Sequence, residues 1–593
     1  MVAGQVVGMS KHSTVTHEAD VCVVGGGMAG VAASLAAARR GARVVLMHDR
    51  PVLGGNASSE CRVHICGADI HNHHPHLRET GILEELRLDN LRRNRQRSFS
   101  VWDALLWEKV RAEPNLTLLA NCSCLDASVA NGRIESVTGW QLTTQTMHTV
   151  RAKIFADCSG DAILDPLTGA SFRVGREGRD EFGESIAPVV ADNRTMGMTC
   201  LFQSRDCGRP MEFSPPASAR RFDRCEDLPY GPGGHRWFQM GYWWIELGGE
   251  ADGIADTERL GDELLAITLG VWDHVKNRCP HTREAAANWA LEWLQFLPGK
   301  RESRRYVGAH VLTQNDIAAG GRFDDVVGYG GWSMDDHHPA GFEAVRIGGP
   351  ATIFHPAPSP YGIPYRALYS RDVANLMFAG RDASCTHAAM SSTRVMGTGM
   401  TMGQAVGTAA AMASRLGVDP AGIGGHIDAL QQALLQDDAY LPGVRQRFSE
   451  LTMRASLSVS QGDGEPLRDG INRQVGDDPH GWLCSPGDWA AYEFNRPRPV
   501  GWATLIVDSA MDRTIQMSYH QADDQLTDTP AVMPRDLRIE GLIDGAWRVL
   551  RRVTDNHQRL VRVDLGQTLA GLRFVLKRTW GGGPARMYGF YVE

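Results

Sequence analysis

The chain has 593 residues, 43% of them apolar and 22% charged, with a net charge of −8. That length predicts several domains with sizeable cores, and the composition excludes collagen-like, disordered and coiled-coil classes. The acidic balance, without a basic stripe interleaved with aromatics, excludes a general nucleic-acid binder.

Residues 1–18 read as a polar, loosely attached leader. Asp20–Val24 then predicts a buried strand, Met28–Arg40 an Ala-rich helix closed by Gly41, and Ala42–Met47 a second strand. Together they make a βαβ unit with parallel strands. Helical spacing runs through 78–112. From Leu116 the pattern turns to strands, with Asn131-Gly132 as a hairpin turn. Lys153–Asp157 is another buried strand, ending in Ser159-Gly160-Asp161. Helices are expected at 257–276 and 283–295. Leu376–Ala379 repeats the buried-strand pattern before Gly380-Arg381-Asp382, and a small-residue helix follows from Thr398 to Leu416. Beyond 456 short strands alternate with turn residues and no helix separates them, which predicts a β-sandwich. Leu505, Ile539, Val563, Phe574 and Phe590 should face its core.

Gly25, Gly27 and Gly30 fit the GxGxxG pattern between a strand and a helix. The first Gly makes the turn, the second lets a pyrophosphate approach the backbone, and the third packs helix on strand. Met28 and Ala29 open the helix whose N-terminus faces the phosphates. Asp49 lies 19 residues past Gly30 and is placed to accept from a ribose hydroxyl. His48 stands where an acid is usual, so the ribose contact falls to His48 or Asp49, with Arg50 adjoining. Gly54, Gly55 and Asn56 supply a second Gly-rich loop that a plain NAD site does not need and a flavin site does. Gly160-Asp161 and Gly380-Arg381-Asp382 then close over the other half of the cofactor.

These segments carry a resemblance. VVGGGMAG, RPVLGGNASSE, FADCSGD and NLMFAGRDAS followed by RVMGTGMTMGQAVGTAAA look like a bacterial family of FAD-dependent oxidoreductases often associated with carbohydrate metabolism. Gly175-Arg-Glu177, Trp244–Gly248, Pro298–Arg305 and Pro364-Tyr-Arg366 extend the match. The resemblance implies α/β architecture. It implies a Rossmann-like FAD-binding domain of glutathione-reductase type; the order of signals along the chain adds an inserted α+β substrate domain, and the C-terminal sandwich resembles galactose-binding-like jelly rolls found beside carbohydrate enzymes. The expected divisions are a leader at 1–18, FAD-binding parts at 19–175 and 356–455, the insert at 176–355, and the β-sandwich at 456–593. Non-covalent FAD is implied, with Gly380, Asp382, Arg394, Met396, Gly399 and Gly403 near its pyrophosphate, ribityl chain or ring.

Oxidising an alcohol needs an acceptor for hydride at flavin N5 and a base near neutral pKa, a role that suits His. His387, just after the Gly380 strand end, is the first candidate, either as acid/base or as a cofactor contact. His64 and His338, the latter with Asp336, are others. Arg301, in the run Arg301–Arg305, is placed to stabilise reduced flavin or fix substrate hydroxyls, unless the run is a solvated charge cluster. His71, His73, His74 and His76 suggest either a metal site or a polar loop rim, and no metal is assigned. The absence of a CxxC pair gives zinc-finger frameworks little support. Trp243, Trp244 and Trp332 in Gly-rich loops suit stacking on sugars, whereas Trp272, Trp289 and Trp293 fall on expected helices and read as core.

The expected activity is oxidation of a hydroxyl on a sugar, glycoside or polyol. The partners are a small-molecule carbohydrate and an unassigned electron acceptor, with no nucleic acid or membrane and oligomerisation left open. No signal peptide or membrane span is visible, which points to the cytoplasm. The competing readings are a carbohydrate-binding protein with structural FAD and a reductase fed by an external donor.

Overall fold

The computed structural model describes residues 13–69, 74–237, 239–517 and 525–593. Strands β1 (Ser13–Val24) and β2 (Val44–Met47) flank helix α1 (Met28–Arg39). Helices α2 (Ile82–Arg93) and α3 (Phe99–Ala112) lead to β3 (Leu116–Leu119). A meander follows: β4 (Cys122–Ala130), β5 (Arg133–Gln141) and β6 (Thr146–Asp157). The strand order is β3-β2-β1-β6-β5-β4. β1, β2, β3 and β6 are parallel, whereas β5 pairs antiparallel with the first half of β6. The last half of β6 pairs in parallel with Leu376–Phe378, so the chain returns to this sheet after more than 200 residues.

Residues 13–18, expected in a loose leader, instead lengthen β1, where Ser13–Glu18 pair with Thr146–Arg151. Between β4 and β5 the Asn131-Gly132 turn has both φ angles positive (51° and 70°), the geometry a two-residue hairpin demands.

The intervening stretch carries α4 (Thr257–Asp273) and the strand β7 (Met334–His337). The helix expected at 283–295 is a turn followed by strand Trp289–Leu294, paired with Phe202–Asp206. Trp272 is fully buried, whereas Trp289 and Trp293 are only half-buried on that strand, and Arg62 stacks on Trp293. Short helix α5 (His387–Thr393) and long helix α6 (Met396–Leu416) complete the first region. α6 lies close along α1 because glycines recur every four residues. A Cβ on Gly403 would sit 2.2 Å from Ala29 O, and one on Gly407 2.1 Å from Ala33 O. Larger side chains at either place would push the helices apart.

From Ser456 the chain is all-β. Two long strands, Trp489–Val507 and Leu560–Thr579, pair along their lengths. The ladder breaks between Glu493 and Arg498, beside Pro497 and Pro499, which cannot donate to it. On one side of the break Ser456–Val459 and Pro534–Ile543 extend the sheet, and on the other Ala585–Val592. The bent sheet encloses one core containing Leu505, Ile539, Val563, Phe574 and Phe590. Leu88 and Leu91 of α2 belong to the same core. Among the described residues no helix is long and apolar enough to cross a membrane.

Candidate functional site

The glycines at the strand ends converge. Gly25 (φ +100°) turns the chain out of β1, and a Cβ there would lie 2.5 Å from the Cys158 carbonyl carbon. A Cβ on Gly30 would lie 1.8 Å from Gly25 O. These two glycines are demanded by the fold itself. Gly27 is different: the one atom near its added Cβ is Cys158 O at 3.9 Å. That open space lies at the start of α1, where Met28 and Ala29 present free amide ends. Gly54 and Gly55 both have positive φ, and Gly54 bridges to Gly27. Gly380 (φ +112°) crosses the same helix start, a Cβ there lying 3.3 Å from Ala29 Cβ, and Gly399 packs against Gly380. Gly160 meets the cluster by donating its N–H to Asp382 Oδ2 at 3.1 Å.

His48 is buried and accepts from Gly26 N–H through Nδ1 at 2.9 Å, while Nε2 lies 2.9 Å from Val52 O. Both ring nitrogens are used in shaping the Gly loop, so the ribose contact offered to His48 is corrected to a structural role. Asp49 and Arg50 stay half-exposed beside it. Asn56 donates to Lys300 O at 3.1 Å. Asp161 is held by Lys300 (2.8 Å), Arg381 (3.0 Å) and Ser303 (2.7 Å). Burial would raise its pKa, but the cations hold it well below the usual carboxylate range.

Asp382 is fully buried, and its Oδ1 has no hydrogen-bond partner. Burial, reinforced by the neighbouring Asp157 charge, pushes its pKa well above the usual range. Thr398 Oγ1 in the first turn of α6 is likewise buried and unpartnered. Such orphans cost on the order of 1–3 kcal/mol each unless a ligand satisfies them. Beside the open amide end at Gly27, they fit a dinucleotide bearing a polyhydroxyl chain.

A strand and a helix assemble the titratable groups. Alternation along β7 sends Asp336 to one face and Asp335 and His337 to the other. Asp336 meets His387, the first residue of α5. The His387 ring lies between Glu302 (Nδ1 to Oε2, 2.8 Å) and Asp336 (Nε2 to Oδ1, 3.1 Å), and its backbone N–H donates to Glu177 at 2.8 Å. Arg305, fully buried, ties Glu302 to Glu177. Burial disfavours the charged ring, but Glu302 and Asp336 overcome it and raise the His387 pKa to about 10. His387 is therefore a clamped imidazolium at neutral pH, not the near-neutral base expected.

On the other face of β7, His337 Nδ1 lies 2.6 Å from Glu246 Oε2 and its Nε2 3.5 Å from Asp335. Arg394 donates to the Asp335 carbonyl and carboxylate. Arg301 pairs with Glu246 at 3.3 Å and donates to Thr199 Oγ1 and Trp243 O. The Arg301–Arg305 run is therefore mostly interior. Trp243 packs edge-on to His337 and is 38% exposed, while Trp244 is buried against Phe342. Trp244 is core, which removes it from the sugar-stacking set. Trp332 is half-buried, its carbonyl accepting from Ser392.

His338 caps a turn, its Nδ1 accepting from Ala340 N–H at 3.1 Å, so Asp336 and His338 do not act as a pair. His64 is half-buried, one residue after Val63 donates its N–H to Asn56 O. His71 and His73 lie outside the described residues. His76 is bound through its N–H to Met511 O. Glu177, Glu246 and Glu302 lie in segments that carry the resemblance, and His337 with His338 reads in the sequence as a metal-or-rim cluster like His71–His76, but sequence reasoning gave none of the four a catalytic role. The available signal was parity: in Asp335-Asp336-His337-His338, a strand pairs Asp335 with His337. A cavity of about 690 Å³ is lined by other residues, including Arg39, Glu84, Asp437 and Arg559.

A Gly-lined helix start facing a buried, unsatisfied carboxylate and an ionic cluster defines a dinucleotide-binding oxidoreductase. The family model "FAD dependent oxidoreductase" matches residues 20–434, and the chain belongs to that family. Its cofactor is FAD. No protein of curated function matches the chain. Among solved structures, a geranylgeranyl bacteriochlorophyll reductase-like protein from Thermoplasma acidophilum aligns at 12% identity. The alignment covers 72% of this chain and 85% of that one, with a TM-score of 0.30. L-proline dehydrogenase from P. horikoshii aligns at 16% identity over 25% of this chain and 24% of its own, with a TM-score of 0.16. A family 32 carbohydrate-binding module from C. perfringens NanJ, in complex with galactose, aligns at 10% identity over 24% of this chain and 93% of its own, with a TM-score of 0.17.

Proposed function

We propose that the chain oxidises a hydroxyl group of a sugar, glycoside or related polyol. The observation that carries this reading is the Glu246–His337 pair, set beside Arg301, Arg394 and the exposed ring of Trp243. FAD, when bound, accepts two electrons as a hydride equivalent from a C–H bond. The amide end at Gly27–Ala29, with Asp382 and Thr398, would hold it.

In a neutral ring Glu246 would hold the His337 proton on Nδ1 and leave Nε2, 3.5 Å from Asp335, as the acceptor. Nε2 would take the hydroxyl proton, in place of His387, His64 or His338. Arg301 and Arg394 bring positive charge to the same face and would favour an alkoxide. Trp243 offers an aromatic face to sugar C–H groups. His387 acts through Asp336, holding β7 in register as a positioning residue.

The sheet order, with parallel β3-β2-β1-β6 and the antiparallel β5 and β4 at its edge, supports a glutathione-reductase type of FAD domain. The bent long strands support a β-sandwich of the galactose-binding-like jelly-roll kind. The electron acceptor in this reading is oxygen, a quinone or another carrier, and the compartment is the cytoplasm.

Anaerobic addition of a panel of sugars, glycosides and polyols tests the proposal through the visible absorbance of bound flavin. At least one should bleach it at a saturable rate. Flavin that dithionite reduces but no panel member does would overturn the carbohydrate reading.

A further inference from the structure

We propose that Cys225, His235, His274 and Cys279 form a structural zinc site in the stretch between the two halves of the FAD-domain sheet. One ligand atom from each side chain lies within 4.8 Å of all the others, and all four residues are buried. Cys225 Sγ is 3.6 Å from Cys279 Sγ, and His235 Nε2 is 3.1 Å from Cys279 Sγ. Zn–S bonds of about 2.3 Å and Zn–N bonds of about 2.0–2.1 Å in a tetrahedron put ligand atoms roughly 3.3–3.8 Å apart. The two sulfurs already stand at such a separation, and the other ligand atoms, all within 4.8 Å of one another, would close onto it.

Two of the four ligands, His274 and Cys279, have the outer contacts that suit a metal ligand, whereas His235 Nδ1 is buried without a partner. His274 Nδ1 lies 2.9 Å from Phe222 O, which fixes the proton there and leaves Nε2 as the free lone pair. That Nε2 is buried and has no hydrogen-bond partner. The His281 N–H points at Cys279 Sγ at 3.4 Å, a contact that suits a thiolate. Two thiolates and Zn²⁺ sum to zero charge, so the filled site suits a dry interior, and the two thiol protons leave to solvent on binding. The S₂N₂ donor set favours zinc over hard cations.

The spacing hid this site in the sequence. α4 ends in a π-turn, His274–Arg278, closed by Cys279 N–H donating to His274 O at 2.7 Å. The wider turn puts residues five apart on one face, whereas a CxxC search looks for closer pairs. The other two ligands come from the loop 225–235, which also carries Tyr230. Tyr230 packs on Trp243 at 5.9 Å. The metal would therefore anchor the loop that backs the candidate substrate face.

Elemental analysis of the flavin-loaded protein, purified without chelator, tests the site. Stoichiometric zinc is expected, lost in His274→Ala and Cys279→Ser and kept in His281→Ala. Zinc absent from the wild type, whether Cys225 and Cys279 titrate as free thiols or form a disulfide, overturns the proposal. So does zinc retained in full by both ligand variants. Should those variants fail to fold, wild-type protein loaded with Co²⁺ decides. Tetrahedral thiolate-bound Co²⁺ absorbs at wavelengths beyond the flavin bands, and an octahedral spectrum overturns the site.

Discussion

Glu302 and His387 form a buried ion pair at 2.8 Å, and the pair closes from both sides: Arg305 holds the far oxygen of Glu302, and Asp336 the far nitrogen of His387. Residues distant in sequence thus lock β7 against α5. Removing Glu302 takes one of two carboxylates from both His387 and Arg305, and breaking such a buried pair costs up to about 3–5 kcal/mol. Glu302→Gln should lower stability by that order in denaturant titrations.

The same pair sets a pH dependence. His387 rises from 6.5 to about 10 on folding. Its contribution is complete below pH 6.5 and is lost as pH rises through 10. Glu302 is shifted down, so its contribution fades only as pH falls below the ordinary carboxylate range. Melting temperature should therefore decline from about pH 7 toward pH 10, and Glu302→Gln should flatten that decline.

Gly27 and Gly30 should separate cofactor binding from folding. Gly30→Ala places a Cβ 1.8 Å from Gly25 O, while Gly27→Ala meets nothing closer than 3.9 Å. Gly30→Ala is expected to destabilise the apoprotein. Gly27→Ala should leave apoprotein melting unchanged and reduce FAD content, and Gly27→Glu should abolish it. Flavin release on denaturation measures both.

Asp382→Ala removes the orphan carboxylate. Leaving a buried hydrogen-bonding partner unsatisfied costs about 1–3 kcal/mol, so FAD affinity should fall roughly 5- to 150-fold. Equal FAD titration curves for variant and wild type would remove Asp382 from the cofactor site.

His337→Gln should slow flavin reduction by the bleaching substrate roughly 10²- to 10⁴-fold with FAD still bound. His338→Gln, altering a turn cap, should change it little. Equal rates for all three proteins would remove His337 as the base.

A chain ended near Ala455 should be insoluble. Arg78 and Glu84, both buried, bond to Ser509, and Arg473 donates to Thr80 Oγ1 at 2.6 Å. Arg559 pairs with Asp438 at 2.9 Å. Truncation leaves Asp438 without its cation, strips Arg78 and Glu84 of their Ser509 contacts, and exposes Leu88 and Leu91 of the shared core. A soluble, yellow fragment would make the all-β region an independent module.

The amino-acid sequence by itself determined the Gly-rich strand ends and the parallel unit around α1. Those features are local, because a positive φ or a tight helix start is written in the few residues that form it. It also determined the all-β character beyond 456, through alternation and turn residues. Only the tertiary structure decided which histidine faces Glu246. His337 and His338 are neighbours, and strand parity turns one toward Glu246 while the other caps a turn. It decided that His387 is a clamped cation, because Glu302 and Asp336 reach it from 85 and 51 residues away. It decided that His48 serves the loop, since its partners are backbone groups no pattern reveals. The Cys225–Cys279 cluster follows the same rule, with a π-turn and a distant loop supplying the ligands. Charge and metal chemistry depend on distances in space, and those are set where separate elements pack.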